Sequence, residues 1–281
     1  MKLLQITDTH LSPSKPHFND NNDNWEPLAR WIADLAPDLV VHTGDLSVDG
    51  ADHDEDLDFA AELIRRLPIP VLCLPGNHDV GHLPGTSQPV DAARLARWRG
   101  LVGPDRWLED RGDWRLVGVD SLLCGSGGAE EADQLAWLAR CLGERDGRRV
   151  AMFSHQPLFI DDPDEGDSGY WGIPPDSRRV IRGLMARHDV SLFGSGHLHV
   201  ASEGKLDGTA LVWAPATSFT IGSMERDMPG RRTLGAAIHE LDKTVTSRIV
   251  AVPGLVPHVL DDVVHEVYPK LDTHAASARA S

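Results

Sequence analysis

Five short clusters in this chain carry oxygen and nitrogen donors of the kind that hold metal ions. They are Asp8-Thr9-His10, Gly44-Asp45, Gly76-Asn77-His78-Asp79, Ser154-His155 and Gly196-His197-Leu198-His199. The first and last repeat a spacing of two. In extended backbone, residues two apart point to the same side, so Asp8 and His10 can address one ion. Each cluster alone says little: an Asp-x-His or a Gly-Asp after a strand is often turn chemistry, and a lone buried histidine is usually a satisfied core residue. Together they share a context. Each follows an apolar strand-like run, and glycines beside three of them allow tight turns under a metal.

The elements that must position these donors alternate. Lys2–Thr7, Asp38–Thr43 and Pro70–Leu74 read as strands, with helices over Pro27–Leu35 and Asp54–Leu67 between them. Such alternation argues for parallel βαβ units, whose chemistry sits in loops at the carboxyl ends of the strands. Beyond Asp79 the reading gives helices at Asp91–Arg99, Glu131–Leu142 and Asp176–Arg187, and strands at Trp114–Val119, Arg149–Phe153 and Val190–Phe193. From Thr209 shorter strand-like segments follow, Ala210–Ala214, Leu234–Glu240 and Thr244–Val252, read as antiparallel strands of a second sheet. The expected α/β architecture is a four-layer sandwich, two sheets face to face with helices outside. Two polar loops, Ser12–Asn24 and Asp161–Pro175, the latter with Tyr170 and Trp171 near its end, are read as pocket rims.

Composition narrows the function classes. The 281 residues are 41% hydrophobic and 25% charged, as in a soluble globular protein, and the formal net charge is −16. That charge argues against nucleic-acid partners, which need Lys and Arg to neutralise phosphates. A small phosphorylated substrate remains compatible, because bound metal ions reverse the field locally. Three scattered cysteines, Cys73, Cys124 and Cys141, form no CxxC pair, and Cys73 is expected to be a buried strand residue. No apolar run approaches the ~20 residues of a membrane span, and the early polar residues do not fit a signal peptide. The protein is read as cytoplasmic, with no membrane partner.

The ordered series from Asp8 to His199 resembles the calcineurin-like metallophosphoesterase superfamily, with all five blocks present. Leu4-Gln5-Ile6-Thr7-Asp8-Thr9-His10-Leu11 and Gly44-Asp45-Leu46 are most similar to bacterial class III cyclic-nucleotide phosphodiesterases and to glycerophosphodiesterases. Purple acid phosphatases fit less well, since they carry a tyrosine where this chain has Val48 and lack the histidine at His10. The resemblance implies a sandwich of two mixed sheets flanked by helices. It implies one metal held by Asp8, His10, Asp45 and His199, and a second held by Asp45, Asn77, His155 and His197, with Asp45 bridging. An all-N/O set suits Mn, Fe, Zn or Co, with Mn and Fe favoured, and is unlike a Cys-rich structural zinc site. Two ions ~3.5–4 Å apart can acidify a water for in-line attack on phosphorus. His78 is expected to serve the leaving oxygen as a catalytic group. Asp79 either orients His78 or caps the turn.

The implied activity is hydrolysis of a small phosphodiester, of cyclic-nucleotide or glycerophosphodiester type. The alternatives are a broad phosphomonoesterase, a nucleotide pyrophosphatase, or a catalytically silent metal-binding scaffold. Residues 1–250 are read as the catalytic domain and 251–281 as a C-terminal extension, serving as a cap or homo-oligomer contact, with a flexible tail over Asp272–Ser281. Trp213, Phe219 and Met224 are read as core, with pocket lining as the alternative. The other histidines, His42, His82 and His239 among them, gain no role from spacing; His17 stands in the loop after His10 and is read as a surface residue.

Overall fold

The structure is a computed structural model and describes residues 1–14, 22–222 and 226–262. His17, Met224 and the Asp272–Ser281 tail lie outside the described residues. The N-terminal half opens β1 (Lys2–Ile6), α1 (Trp25–Leu35), β2 (Leu39–His42), α2 (Asp54–Arg65) and β3 (Val71–Cys73). A short helix α3 (Asn77–Val80) and α4 (Ala92–Leu101) follow, then β4 (Trp107–Arg111), β5 (Trp114–Gly118), α5 (Ala129–Gly143), β6 (Arg149–Phe153), α6 (Pro175–Arg187) and β7 (Val190–Ser195). The remainder is strand: β8 (Ser202–Leu206), β9 (Thr209–Trp213), β10 (Phe219–Thr220), β11 (Ala236–Leu241), β12 (Val245–Val250) and β13 (His258–Val259).

Alternation along the strands sorts the side chains into layers. Leu4, Ile6 and Val40 face outward onto Leu28 and Ile32 of α1, Leu57 and Ile64 of α2, and Trp98 of α4. Their neighbours Leu3, Leu39 and Val41 face inward and meet Leu116, Ala151, Phe153 and Leu192 from the other sheet. On the far side Val117, Val150, Met152 and Phe193 pack on Leu138 and Leu142 of α5 and Ile181 and Leu184 of α6. Helix, sheet, sheet, helix: the expected four layers are present.

The first sheet has the order β12-β11-β1-β2-β3 and the second β4-β5-β6-β7-β9-β8. β1, β2 and β3 are parallel, as are β5, β6, β7 and β9. One expectation is corrected here. β11 and β12 build no separate sheet; they join the N-terminal sheet, with β11 antiparallel to the otherwise open edge of β1. β9 instead extends the second sheet in parallel with β7. The edge strands β4 and β8 escape the sequence reading because their residues break the apolar pattern: Trp-Leu-Glu-Asp-Arg and Ser-Glu-Gly-Lys-Leu carry the charges that keep exposed edges from pairing. Cys73 is only partly buried because β3 is likewise an edge strand. Within the extension, β13 pairs with β10, while Val252 and Leu255 pack on the first core layer. No helix among the described residues is long and apolar enough to cross a membrane.

Candidate metal centre

Parallel strands finish at the same edge, so the loops after β1, β2, β3, β6 and β7 converge. All five donor clusters lie in them. The first two loops are laced together by backbone: the Asp8 N–H donates to Gly44 O at 2.9 Å, His10 N–H to Asp45 O at 3.1 Å and Leu11 N–H to Leu46 O at 2.8 Å. The loops meet too closely for side chains at three places, one of them Gly196, where a Cβ would fall 2.0 Å from Thr7 Oγ1. A Cβ on Gly76 would fall 2.1 Å from Asp45 Oδ1, and one on Gly44, at φ 104°, 2.5 Å from His155 Nδ1.

The i, i+2 spacing brings Asp8 and His10 to one group of donors but sends His197 and His199 to different ones, and not by the expected route. Asp8, His10, His197 and His199 are not extended; their φ values are 53°, 43°, 72° and 53°, and Asp45 has 54°. Left-handed backbone, sparsely populated for residues other than glycine, turns each donor into the site.

Two groups of donors result. In one, His10 Nε2 is 3.2 Å from His199 Nε2, and Asp8 Oδ1 is 3.4 Å from His199 Nε2 and 3.9 Å from His10 Nε2. In the other, His155 Nε2 is 3.1 Å from Asn77 Oδ1 and 3.0 Å from His197 Nδ1. Asp45 Oδ2 stands between them, 3.7 Å from His10 Nε2 and 3.4 Å from His155 Nε2. These atoms are buried, and they include groups whose donor atoms all lie within 4.8 Å of one another, as a metal ion requires.

The surrounding bonds hold the donor atoms inward. Asp8 Oδ2 accepts from Thr7 Oγ1 at 2.6 Å and from the His197 N–H at 3.1 Å, while its buried Oδ1 has no hydrogen-bond donor. Asp45 Oδ1 accepts the His78 N–H at 2.9 Å. The Nδ1–H groups of His155 and His199 donate to Thr43 O at 2.8 Å and Phe219 O at 2.7 Å, and the Nε2–H of His197 donates to Tyr170 O at 2.9 Å. A backbone carbonyl thus fixes each tautomer and leaves the opposite nitrogen for an ion. An orphaned carboxylate oxygen facing imidazole nitrogens, with no thiolate, is a donor set that fits transition-metal ions.

Protonation follows the same geometry. Burial opposes charge on His155, yet the Asp45 carboxylate carries its pKa up to about 9. His199 is also raised, by Asp8 against its burial. Burial pushes His197 down to about 3, with His155 adding to the effect, and pushes His10 well down, with His78 adding. Asp8 and Asp45 stay ionised despite burial, held low by His199 and His155 respectively.

His78 stands beside the first group. Its Nδ1–H donates to Val48 O at 2.6 Å, its ring meets His10 edge-on at 4.7 Å, and a ring nitrogen lies within 4.8 Å of donor atoms on His10 and Asp45. Asp79 is bonded within the turn. Its carboxylate accepts from Leu46 N–H (3.1 Å), Ser47 N–H (3.0 Å), Ser47 Oγ (2.7 Å) and Gly76 N–H (2.9 Å), clamping the β2 and β3 loops together. Burial, with Asp45 nearby, pushes it up to about 6.

Two residues around the site, His82 and Gln156, had no role in the sequence reading, and a third, Phe219, was read as core. His82 accepts the Leu83 N–H at Nδ1 (2.7 Å), so its Nε2–H donates to Tyr170 O at 3.0 Å, and Gln156 Nε2 donates to the same oxygen at 3.1 Å. Phe219 is buried as expected, yet its ring also lies 4.8 Å from that of His10 and 4.5 Å from that of His199. Gln156 follows His155 directly and His82 lies just past the Asn77-His78-Asp79 block, the only signals either carried. His42 and His239 are satisfied core histidines: His42 bonds Thr9 Oγ1 at 3.0 Å, and His239 bonds Gln5 Oε1 at 3.0 Å and Ser247 Oγ at 2.8 Å.

A four-layer sandwich with buried His and Asp donors at the carboxyl ends of its strands is the architecture of metal-dependent phosphoric ester hydrolases. Residues 1–201 match the calcineurin-like phosphoesterase family, and the chain belongs to it. Among curated proteins it is similar to a probable glycerophosphodiester phosphodiesterase from Arcobacter nitrofigilis, 28% identical over 72% of this chain and 73% of that one. It is also similar to the 3',5'-cyclic adenosine monophosphate phosphodiesterase of Escherichia coli, 27% identical over 89% of each. Among solved structures, a dimetal phosphatase from Danio rerio shares the fold with a TM-score of 0.60 at 15% identity, covering 89% of this chain and 95% of that one.

Proposed function

We propose that this chain hydrolyses small phosphodiesters, of cyclic-nucleotide or glycerophosphodiester type, with two transition-metal ions. The observation that carries the two-ion reading is Asp45 Oδ2, which stands between His10 and His155 at 3.7 and 3.4 Å. Asp8, His10, Asp45 and His199 would hold one ion, and Asp45, Asn77, His155 and His197 the other. Carboxylate, amide and imidazole donors suit manganese or iron, and also zinc or cobalt. When bound, the pair supplies Lewis acidity at phosphorus and a water acidified for in-line attack.

The chain's own residues do the rest. His78, with Nδ1–H held by Val48 O, has Nε2 for carrying a proton to the leaving oxygen. A departing alkoxide needs that proton. The net charge of −16 also favours a monoanionic diester over a dianionic monoester. Two relatives that bear diesterase names and align over most of the chain support the same reading.

The test is a substrate panel on manganese-loaded protein: bis(p-nitrophenyl) phosphate, a cyclic nucleotide, a glycerophosphodiester and p-nitrophenyl phosphate. Diester turnover that chelator abolishes and manganese restores is expected. Turnover of the monoester alone by fully metallated protein would overturn the diesterase reading in favour of a phosphomonoesterase.

A further inference from the structure

The loop between β6 and α6 lies over one half of the metal centre and follows a defined course. Glu165 is its knot: the carboxylate accepts from the Ile160 N–H at 2.8 Å and the Asp161 N–H at 3.1 Å, and pairs with Arg226 at 3.2 Å and Arg178 at 3.6 Å. Further along, the Ile173 N–H donates to Pro157 O at 2.9 Å. Between these anchors the chain delivers Tyr170. The ring of Tyr170 stacks on His82 at 4.6 Å and lies 4.9 Å from that of His197.

Two atoms of Tyr170 reach the donors of one ion. Its Oη accepts from Asn77 Nδ2 at 2.8 Å. A metal takes the oxygen of an amide, so Nδ2 must turn outward and find an acceptor; Tyr170 Oη supplies it and leaves Oδ1 facing His155. Its carbonyl accepts the Nε2–H of His197 at 2.9 Å, which frees Nδ1 on the inner side. That carbonyl also draws His82 Nε2 at 3.0 Å and Gln156 Nε2 at 3.1 Å, so its position is held by three side-chain nitrogens. Of the other ion's donors, His199 is instead oriented by Phe219 O, and Asp8 by Thr7 and the His197 N–H.

We propose that Tyr170 is a positioning residue for one ion of the pair, setting the Asn77 amide through its hydroxyl and the His197 tautomer through its carbonyl. The proposal rests on the two-ion reading above. It makes the two sites unequal: the Asn77–His155–His197 site depends on the loop, and the Asp8–His10–His199 site does not.

The experiment is manganese binding, by equilibrium dialysis and by the EPR signal of coupled ions, without substrate. The variants are Tyr170→Phe, which removes only Oη, and Asn77→Asp, whose two oxygens make amide orientation irrelevant. Tyr170→Phe is expected to weaken the second ion ~10-fold or more, the scale of lost hydrogen bonds to metal ligands, and to leave the first unchanged. In the Asn77→Asp background the same substitution is expected to have no further effect. Equal weakening of both ions, no weakening, or a full effect in the Asn77→Asp background overturns the proposal. Binding of at most one ion by the unmodified protein overturns the two-ion reading itself, and the proposal with it.

Discussion

His155 Nε2 and His197 Nδ1 face each other across 3.0 Å, although the opposite nitrogen of each ring donates to a backbone carbonyl. Two lone pairs at that distance repel unless a cation stands between them. Without a metal, that cation is a proton on His155.

Metal uptake should therefore release protons. Burial resists charge on His155, but Asp45 carries its pKa up to about 9, so near neutral pH the metal-free ring holds a proton that an ion must displace. The sign follows: apparent affinity climbs as pH rises toward about 9 and levels off above it. Titration calorimetry in buffers of different ionisation enthalpy reads the released protons directly. Enthalpies near neutral pH that do not change with buffer would remove His155 from this role.

Asp45→Ala should lower occupancy of both ions and abolish turnover, because its Oδ2 is shared. His10→Ala should damage mainly one site. Elemental analysis of protein prepared without chelator separates the two patterns, with two ions expected in the unmodified chain.

His78→Ala should keep both ions and lose rate unevenly. General acid catalysis contributes ~10²–10⁴-fold, and most where the leaving group is basic. Loss of kcat/KM should be large for a ribose or alkyl leaving group and small for p-nitrophenolate. Equal losses would indicate positioning instead of proton donation. A missing ion would mark His78 as a ligand, a role its proximity to His10 and Asp45 allows.

Asp79→Ala should unfold the site from beneath. Removing the carboxylate strands the buried N–H groups of Leu46, Ser47 and Gly76. An unsatisfied buried donor costs ~1–3 kcal/mol, so a loss on the order of 3 kcal/mol is expected in chemical denaturation, along with weaker metal binding. Stability within 0.5 kcal/mol of the parent, roughly the scale of a surface substitution, would show that the clamp is dispensable.

Much of the scaffold was legible because buried parallel strands write their pattern plainly. Arg149–Phe153 is found as read, and β1, β2 and β3 lie within a residue or so of the expected ranges. The edge strands β4 and β8 left no such trace, since they bury little and carry charge. The first sheet's last two strands were assigned to the wrong partner because alternation reports which face is buried and not which strand is alongside. The donor clusters were visible as residue types at strand exits. Their supports were not: Tyr170 meets Asn77 across 93 residues of chain, and only the fold brings that loop back.

The donors' left-handed backbone has a consequence for how such a protein can change. Asp8, His10, Asp45, His197 and His199 all hold φ between 43° and 72°, at a cost on the order of 1 kcal/mol for each residue that is not glycine. The same positions therefore carry both the chemistry and a reserve of unspent stability. A lineage or a directed-evolution library selected only for heat resistance, with no demand for activity, will drift first toward glycine or asparagine there. Thermostability and metal binding will trade against each other at these five positions before they conflict elsewhere in the chain.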